Sequence, residues 1–240
     1  MRPRILVTRP EPGASRTARR LEAAGFDAVV LPLTRIAPLD FVMPEGVFDA
    51  VIVTSAQALQ RVDSARLRQL PLYAVGEATA EAARKAEFEH LRSAGGSVSS
   101  IAALVKASAK PAAKLLYLCG RVRRPELEAA LGAAGFTLTA VETYNAAPIE
   151  YPEAELSDRL GEMPFDAVTL MSAQAAEQFA LLTGHDLIER LFNRCEIVCF
   201  SPRIADALTG KEGWKIAVTE KASEDALLDL LSPLLAPDRS

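Results

Sequence analysis

Short, mainly apolar runs recur along this chain, with stretches between them in which apolar residues return every three or four positions. The runs at 5–7, 28–31, 50–53, 72–75, 115–118, 138–141, 168–170 and 197–200 predict strands buried on both faces, because a half-exposed strand would alternate apolar with polar residues. The stretches between them have helical period. Residues 14–24 place Ala14, Ala18 and Leu21 on one side and Arg16, Arg19, Arg20 and Glu22 on the other, the pattern of a surface helix with one buried stripe. Leu127, Ala130, Leu131 and Ala134 predict a second such face, and Ala173, Ala176, Phe179 and Ala180 a third. Gly25 and Gly135 fall just past helix ends, where a left-handed residue closes the turn. Strands alternating with helices at this pitch predict parallel sheets with right-handed crossovers and helices on both faces.

The pattern occurs twice. Leu21-Glu22-Ala23-Ala24-Gly25-Phe26 returns as Leu131-Gly132-Ala133-Ala134-Gly135-Phe136, and Ile36-Ala37-Pro38 as Ala146-Ala147-Pro148, both 110 residues on. Asp49-Ala50-Val51 and Ser55-Ala56-Gln57 return as Asp166-Ala167-Val168 and Ser172-Ala173-Gln174, 117 residues on. Two copies of one plan predict a pair of similar, flavodoxin-like α/β domains and not a solenoid. Pro32, Pro38, Pro44, Pro148 and Pro152 cluster around the two copy boundaries, and proline-bounded stretches join domains more often than they build sheet interiors. The expected division is a discontinuous first domain at 1–34 and 151–240, a second at 41–141, and linkers at 35–40 and 142–150.

Composition narrows the classes. Half of the 240 residues are apolar and 24% are charged, with a formal net charge of −4, which suits packed cores and argues against a nucleic-acid binder driven by counterion release. The first residues hold no export signal, and no run approaches the roughly 18–20 apolar residues of a membrane span. Cys119, Cys195 and Cys199 form no C-x-x-C pair, and His90 and His185 are the only histidines, so buried reduced thiols in a cytoplasmic protein are expected and no metal site is.

Ligands of doubly wound sheets bind at the carboxyl ends of the strands, where helix N-termini present free N–H groups. Thr8-Arg9-Pro10, Thr54-Ser55-Ala56-Gln57, Gly76-Glu77-Ala78-Thr79, Ser172-Ala173-Gln174 and Ser201-Pro202-Arg203 fall at those points. Ser55, Ser172 and Ser201 also suit plain N-caps. Walker, G-x-G-x-x-G and G-x-S-x-G patterns are missing. Asp49 and Asp166 precede strands and are expected on the solvated, amino-terminal side. Tyr144, in the return linker, has two readings: a phenol donating a hydrogen bond to a developing oxygen, or a ring packed against linker prolines.

Ile5-Leu6-Val7-Thr8-Arg9-Pro10, Leu31-Pro32-Leu33 with Ile36 and Pro38, Thr54-Ser55-Ala56, the run from Ala74 to Ala80, and Val141-Glu142-Thr143-Tyr144 together resemble the uroporphyrinogen-III synthase family. The resemblance follows the family's order along essentially the whole chain. It implies two α/β domains joined by a two-stranded linker, and a monomeric, cytoplasmic, cofactor-free enzyme. The implied reaction closes hydroxymethylbilane, a polycarboxylate, to uroporphyrinogen III with loss of water and inversion of ring D. It further implies that Tyr144 assists departure of the hydroxyl and that Thr8, Arg9, Ser55, Gly76, Thr79 and Ser172 line the substrate cleft. At 201–205 the family's threonine-bearing turn is replaced by Ser201-Pro202-Arg203-Ile204-Ala205; Ser201 and Arg203 are then the candidate carboxylate contacts, Arg203 by its fork geometry. The altered turn also suits a rival reading, a two-domain small-molecule sensor without chemistry.

Overall fold

The computed structural model describes residues 2–63, 65–123, 125–184, 190–208 and 213–235. The chain divides into two compact units, Met1–Arg35 with Ala147–Ser240, and Ile36–Ala146. The first passage through unit one gives β1 (Arg4–Val7), α1 (Gly13–Ala23) and β2 (Asp27–Val30). The chain then runs β3 (Thr34–Pro38), β4 (Ala50–Val53), a 3-10 turn (Ala56–Leu59), α2 (Ala65–Arg68), β5 (Leu72–Ala74) and α3 (Glu77–Lys85). It continues through β6 (Leu91–Ser93), α4 (Val98–Ser108), β7 (Lys114–Gly120), α5 (Glu126–Gly132) and β8 (Thr137–Pro148). The return gives α6 (Glu153–Leu160), β9 (Ala167–Leu170), α7 (Ala173–Leu182), β10 (Glu196–Cys199), α8 (Pro202–Asp206), β11 (Lys215–Val218) and α9 (Glu224–Leu234).

Unit one carries a sheet of order β11-β10-β9-β1-β2 with all its pairings parallel. The other sheet has the order β3-β8-β7-β4-β5-β6 and is parallel from β8 to β6. Alternate strand residues point to opposite faces, and both faces are filled. Leu6 and Val168 join α6 and α7 through Leu156, Leu160, Ala176 and Phe179. Ile5 and Val7 join α1 and α9 through Ala14, Leu21, Leu227 and Leu231. In unit two, Val51 and Val53 meet Ala58, Leu67, Ala80 and Ala83, while Ile52 and Leu115 meet Ile101, Val105, Leu127 and Leu131 of α4 and α5. Strand residues buried on both sides are the physical reason these runs are mainly apolar and do not alternate with charged residues.

Gly25 (φ 94) and Gly135 (φ 85) end the helices in the left-handed region, as expected at both copies. The proline-bracketed stretches pair with each other, in the two-stranded form that the family resemblance implies. The Leu39 N–H donates to the Thr143 carbonyl and the Ile149 N–H to that of Leu33, so β3 and the far half of β8 run antiparallel. Their prolines sit at strand ends, and the residues between keep every N–H available for pairing. Asp49 and Asp166 also do more than meet solvent. The Lys114 N–H donates to Asp49 Oδ2 at 2.8 Å and the Arg4 N–H to Asp166 Oδ2 at 2.6 Å. Each aspartate clamps the first residue of the neighbouring strand, a duplicated device for setting register.

Candidate functional site

Most of the candidate residues of each unit follow the carboxyl ends of its strands. In unit two, β4 ends into Thr54 and Ser55. Ser55, in extended backbone, accepts the Gln57 N–H at 3.3 Å and so caps the 3-10 turn. Thr54 Oγ1 lies 3.0 Å from the Tyr117 hydroxyl at the same edge. β5 ends into Gly76, whose carbonyl accepts the N–H groups of Thr79 and Ala80 at 3.1 and 3.0 Å, opening α3. A Cβ at Gly76 would lie 3.4 Å from Gly96 Cα, so two strand-end loops pack closely there. Thr79 is buried in the first turn of α3.

The position of Tyr144 comes from an irregularity. β7 and β8 pair in step from Lys114 with Thr137 to Cys119 with Glu142, and then Gly120 pairs with Tyr144. Thr143 is the extra residue, a β-bulge of the kind that re-aims side chains. Its hydroxyl donates to the Ala58 carbonyl at 3.0 Å, fixing the bulge to the turn that Ser55 caps. Half-buried, the Tyr144 ring packs against the core of β4 and the 3-10 turn. Burial raises its pKa above the usual tyrosine value, outweighing the neighbouring Ser55 side chain, which pulls the other way. The phenol is therefore a proton-holding donor at neutral pH. Beside it Glu142 receives Arg121 at 3.1 Å and Arg123 at 2.8 Å.

In unit one, Thr8 is fully buried and donates to the Thr169 carbonyl at 2.7 Å, while Thr169 donates to that of Leu6. Its hydroxyl is committed to the sheet. Arg9 donates to Glu224 at 2.9 Å and to Thr17 at 3.3 Å. Glu224, opening α9, also receives Thr17 at 3.0 Å, Arg16 at 3.3 Å and Arg20 at 3.2 Å. Burial pushes the Glu224 carboxyl up, but Thr17, Arg20 and Arg16 together bring it below the usual range. An open cavity of about 560 Å³ lies over this cluster, bordered by Arg9, Arg16, Arg20 and Phe200. Ser172 caps α7, accepting the Ala175 N–H at 3.1 Å. Ser201 does not act as the expected side-chain cap. Its own carbonyl takes the Ile204 N–H at 3.0 Å, and its buried hydroxyl has no partner among the described residues. Arg203 is exposed on α8.

Within unit two, then, Ser55 and Tyr144 come together, and Gly76 and Thr79 share the opening of α3. Within unit one, Thr8, Arg9, Ser172, Ser201 and Arg203 follow the ends of β1, β9 and β10. Glu224 carries no mark in the sequence, lying 215 residues from its partner Arg9, and Thr143, though within the run 141–144, has a role defined only by register. The three cysteines are buried and unpaired, with the Cys119 thiol pushed up to about 11 by burial. No group of three or more metal-ligating side chains occurs among the described residues; His185 lies outside them. No helix among them is long and apolar enough to cross a membrane.

A crystal structure of uroporphyrinogen-III synthetase from Helicobacter pylori superposes with a TM-score of 0.67 at 20% identity, covering 98% of this chain and 100% of that one. A mutant uroporphyrinogen III synthase from Thermus thermophilus gives 0.54 at 18% identity, covering 95% and 96%. At such identities the likeness is one of fold. A protein of Archaeoglobus fulgidus whose name assigns it provisionally to the same synthase is 36% identical over 78 residues, 32% of this chain and 34% of that protein. The match thus spans about a third of that relative's length. A family model described as "Uroporphyrinogen-III synthase HemD" covers residues 15–229, nearly the whole duplicated frame. On that match the chain belongs to the uroporphyrinogen-III synthase HemD family.

Proposed function

We propose that this chain closes hydroxymethylbilane to uroporphyrinogen III, with loss of water and inversion of ring D. The observation that carries the reading is the setting of Tyr144: a half-buried phenol opposite the carboxyl end of β7, held protonated by burial beside Ser55. The reaction begins by breaking a C–O bond, and hydroxide leaves poorly without a donor. Electrons come from the electron-rich pyrrole, whose push expels the hydroxyl as water and leaves an azafulvene. The terminal ring then attacks through its substituted carbon, and the resulting spiro species rearranges. The protein's tasks are to donate to the departing oxygen and to fold the chain of pyrroles so that the correct carbon meets the azafulvene.

The eight carboxylates need donors. The helix openings at Ser55, Gly76 and Ser172 offer backbone N–H groups and favourable dipoles. Arg203, exposed, and Ser201, with its unpartnered hydroxyl, suit the same task. Thr79, near Gly76, and the backbone at Thr8 and Arg9 complete the proposed contacts. The reading takes the protein to act as a cytoplasmic monomer.

The test is Tyr144→Phe, which removes one oxygen. A positioned acid is worth roughly 10²–10⁴-fold; because this substrate ionises slowly unaided, a fall in kcat of about tenfold to a hundredfold is expected, with KM little changed. Burial places the Tyr144 ionisation above the usual tyrosine range, so no alkaline limb from it should appear between about pH 7 and 9. Enzymatically generated hydroxymethylbilane supplies the assay, with type III product resolved from the type I isomer that forms spontaneously. Full turnover by Tyr144→Phe would reduce the phenol to a packing element. Type I alone from the native chain would favour the non-catalytic sensor reading.

A further inference from the structure

At the carboxyl end of β7 the chain leaves out a side chain where a ring needs the space. A Cβ built on Gly120 would lie 2.7 Å from Tyr144 Cζ, 2.9 Å from Cε2 and 2.9 Å from the hydroxyl oxygen. Those separations are far inside van der Waals contact. Gly120 has no positive φ, so an alanine would suit its backbone, and a turn does not explain the glycine. The ring explains it. Gly120 is also the residue that the bulge brings opposite Tyr144, and the Arg121 N–H donates to the Tyr144 carbonyl at 2.9 Å, holding the two backbones together.

We infer that Gly120 is a positioning residue for Tyr144, its bare Cα forming one wall of a seat whose other wall is the Thr143 bulge. The inference rests on the synthase reading in assigning the phenol to the reaction. Thr143, 3% exposed and bonded to the Ala58 carbonyl, sets the strand offset. Gly120 then leaves the space that the ring's hydroxyl end occupies beside β7, with its oxygen near Ser55. Neither residue touches substrate in this scheme; both act through the phenol. The clashing atoms are the far end of a side chain free to turn about two bonds. The ring is therefore what yields to a larger residue, and placement is lost before stability.

Gly120→Ala tests this, with Tyr144→Phe and the double variant alongside. In protein labelled with [13Cζ]tyrosine, which has four tyrosines, the Tyr144 resonance is identified by its loss in Tyr144→Phe. In Gly120→Ala that resonance should shift while the others hold. Its kcat should fall by about the factor that Tyr144→Phe shows, tenfold to a hundredfold, with KM within about twofold. The double variant should be no slower than Tyr144→Phe, since both changes remove one contribution. An unmoved resonance overturns the inference, as does full turnover by Gly120→Ala when Tyr144→Phe is slowed; the synthase reading survives both. Full turnover by Tyr144→Phe removes the catalytic reading and, with it, any reactive purpose for the seat. Should Gly120→Ala melt early, Gly120→Ala/Tyr144→Ala must recover the lost Tm, and failure to do so also overturns the inference.

Discussion

Glu224→Gln would test how unit one holds its arginines. The carboxylate is 12% exposed and accepts from four side chains, so its neutral isostere removes one charge and little volume. The partners are unequal. Arg16 and Arg20 are 58% and 39% exposed, and pairs of that kind are worth at most ~1 kcal/mol each. Arg9 is 26% exposed and shares Glu224 with the buried Thr17 hydroxyl; a sheltered, charge-assisted hydrogen bond is worth ~1.5–3 kcal/mol. The charge also sits in the first turn of α9, where the helix dipole adds ~0.3–1 kcal/mol. A glutamine keeps one acceptor oxygen, so the net loss should be about 2–3 kcal/mol. At ~2–4 °C per kcal/mol for a chain of this size, Tm should drop by about 5–10 °C. Trp214, the sole tryptophan, packs on Phe179 in unit one at 5.5 Å, so its fluorescence follows the affected unit. The folded Glu224 pKa lies below its unfolded value, so the stabilisation is complete above the unfolded value near 4.3 and vanishes as pH falls through the depressed one. The gap between the two proteins should thus be full at pH 7 and close on acidification. A neutral-pH shift under about 2 °C, or an equal gap in acid, would refute the charge argument.

Two further outcomes follow from exposure. Arg203→Ala should raise the apparent KM for hydroxymethylbilane and weaken its salt dependence, with stability within ~0.5 kcal/mol; unchanged kinetics would assign Arg203 to the solvated surface. Cys119, Cys195 and Cys199 are 1%, 5% and 0% exposed, with thiol pKa values raised by burial, so a disulfide reagent at pH 8 should react with none natively and with all three after unfolding.

The strands legible in the sequence are mostly those buried on both faces. No apolar run marks β3, β6 or β11, and each is a sheet edge; β3 is expected only as one strand of the linker that the resemblance implies. An edge strand packs on fewer neighbours and needs no apolar run: Leu91-Arg92-Ser93 is mostly exposed, and so is Lys215–Val218. The fourth edge, β2, was found because Val29 and Val30 extend an apolar run. α7 spans Ala173–Leu182, the range its periodicity marks. At the site, Ser55 stands out because it follows a strand end, and Tyr144 because it lies in the return stretch between the two copies. The roles of Gly120, Thr143 and Glu224 are not legible in the sequence, because they arise from contacts between distant segments: a missing Cβ, a register offset, and a carboxylate meeting arginines more than 200 residues away.

Duplication explains the frame and leaves the chemistry unexplained. Asp49 and Asp166 clamp equivalent strands, and Ser55 and Ser172 cap equivalent turns. Yet the residue 110 positions before Tyr144 is Thr34, 2% exposed, and the one before Gly120 is Pro10. Unit one therefore lacks both the phenol and its seat, and at its own rim it gathers Arg9, Arg16 and Arg20 around one carboxylate. A symmetric pair of units would offer two equivalent acids and no means of telling one end of a chain of four similar pyrroles from the other. The reaction requires that distinction, since only one terminal hydroxymethyl group leaves and only one ring inverts. On the proposed function, one protonated tyrosine, present in a single copy of the repeat, would supply that distinction. On this reading the loss of symmetry at Gly120 and Tyr144 is what turned a duplicated binding frame into a site for a one-directional ring closure.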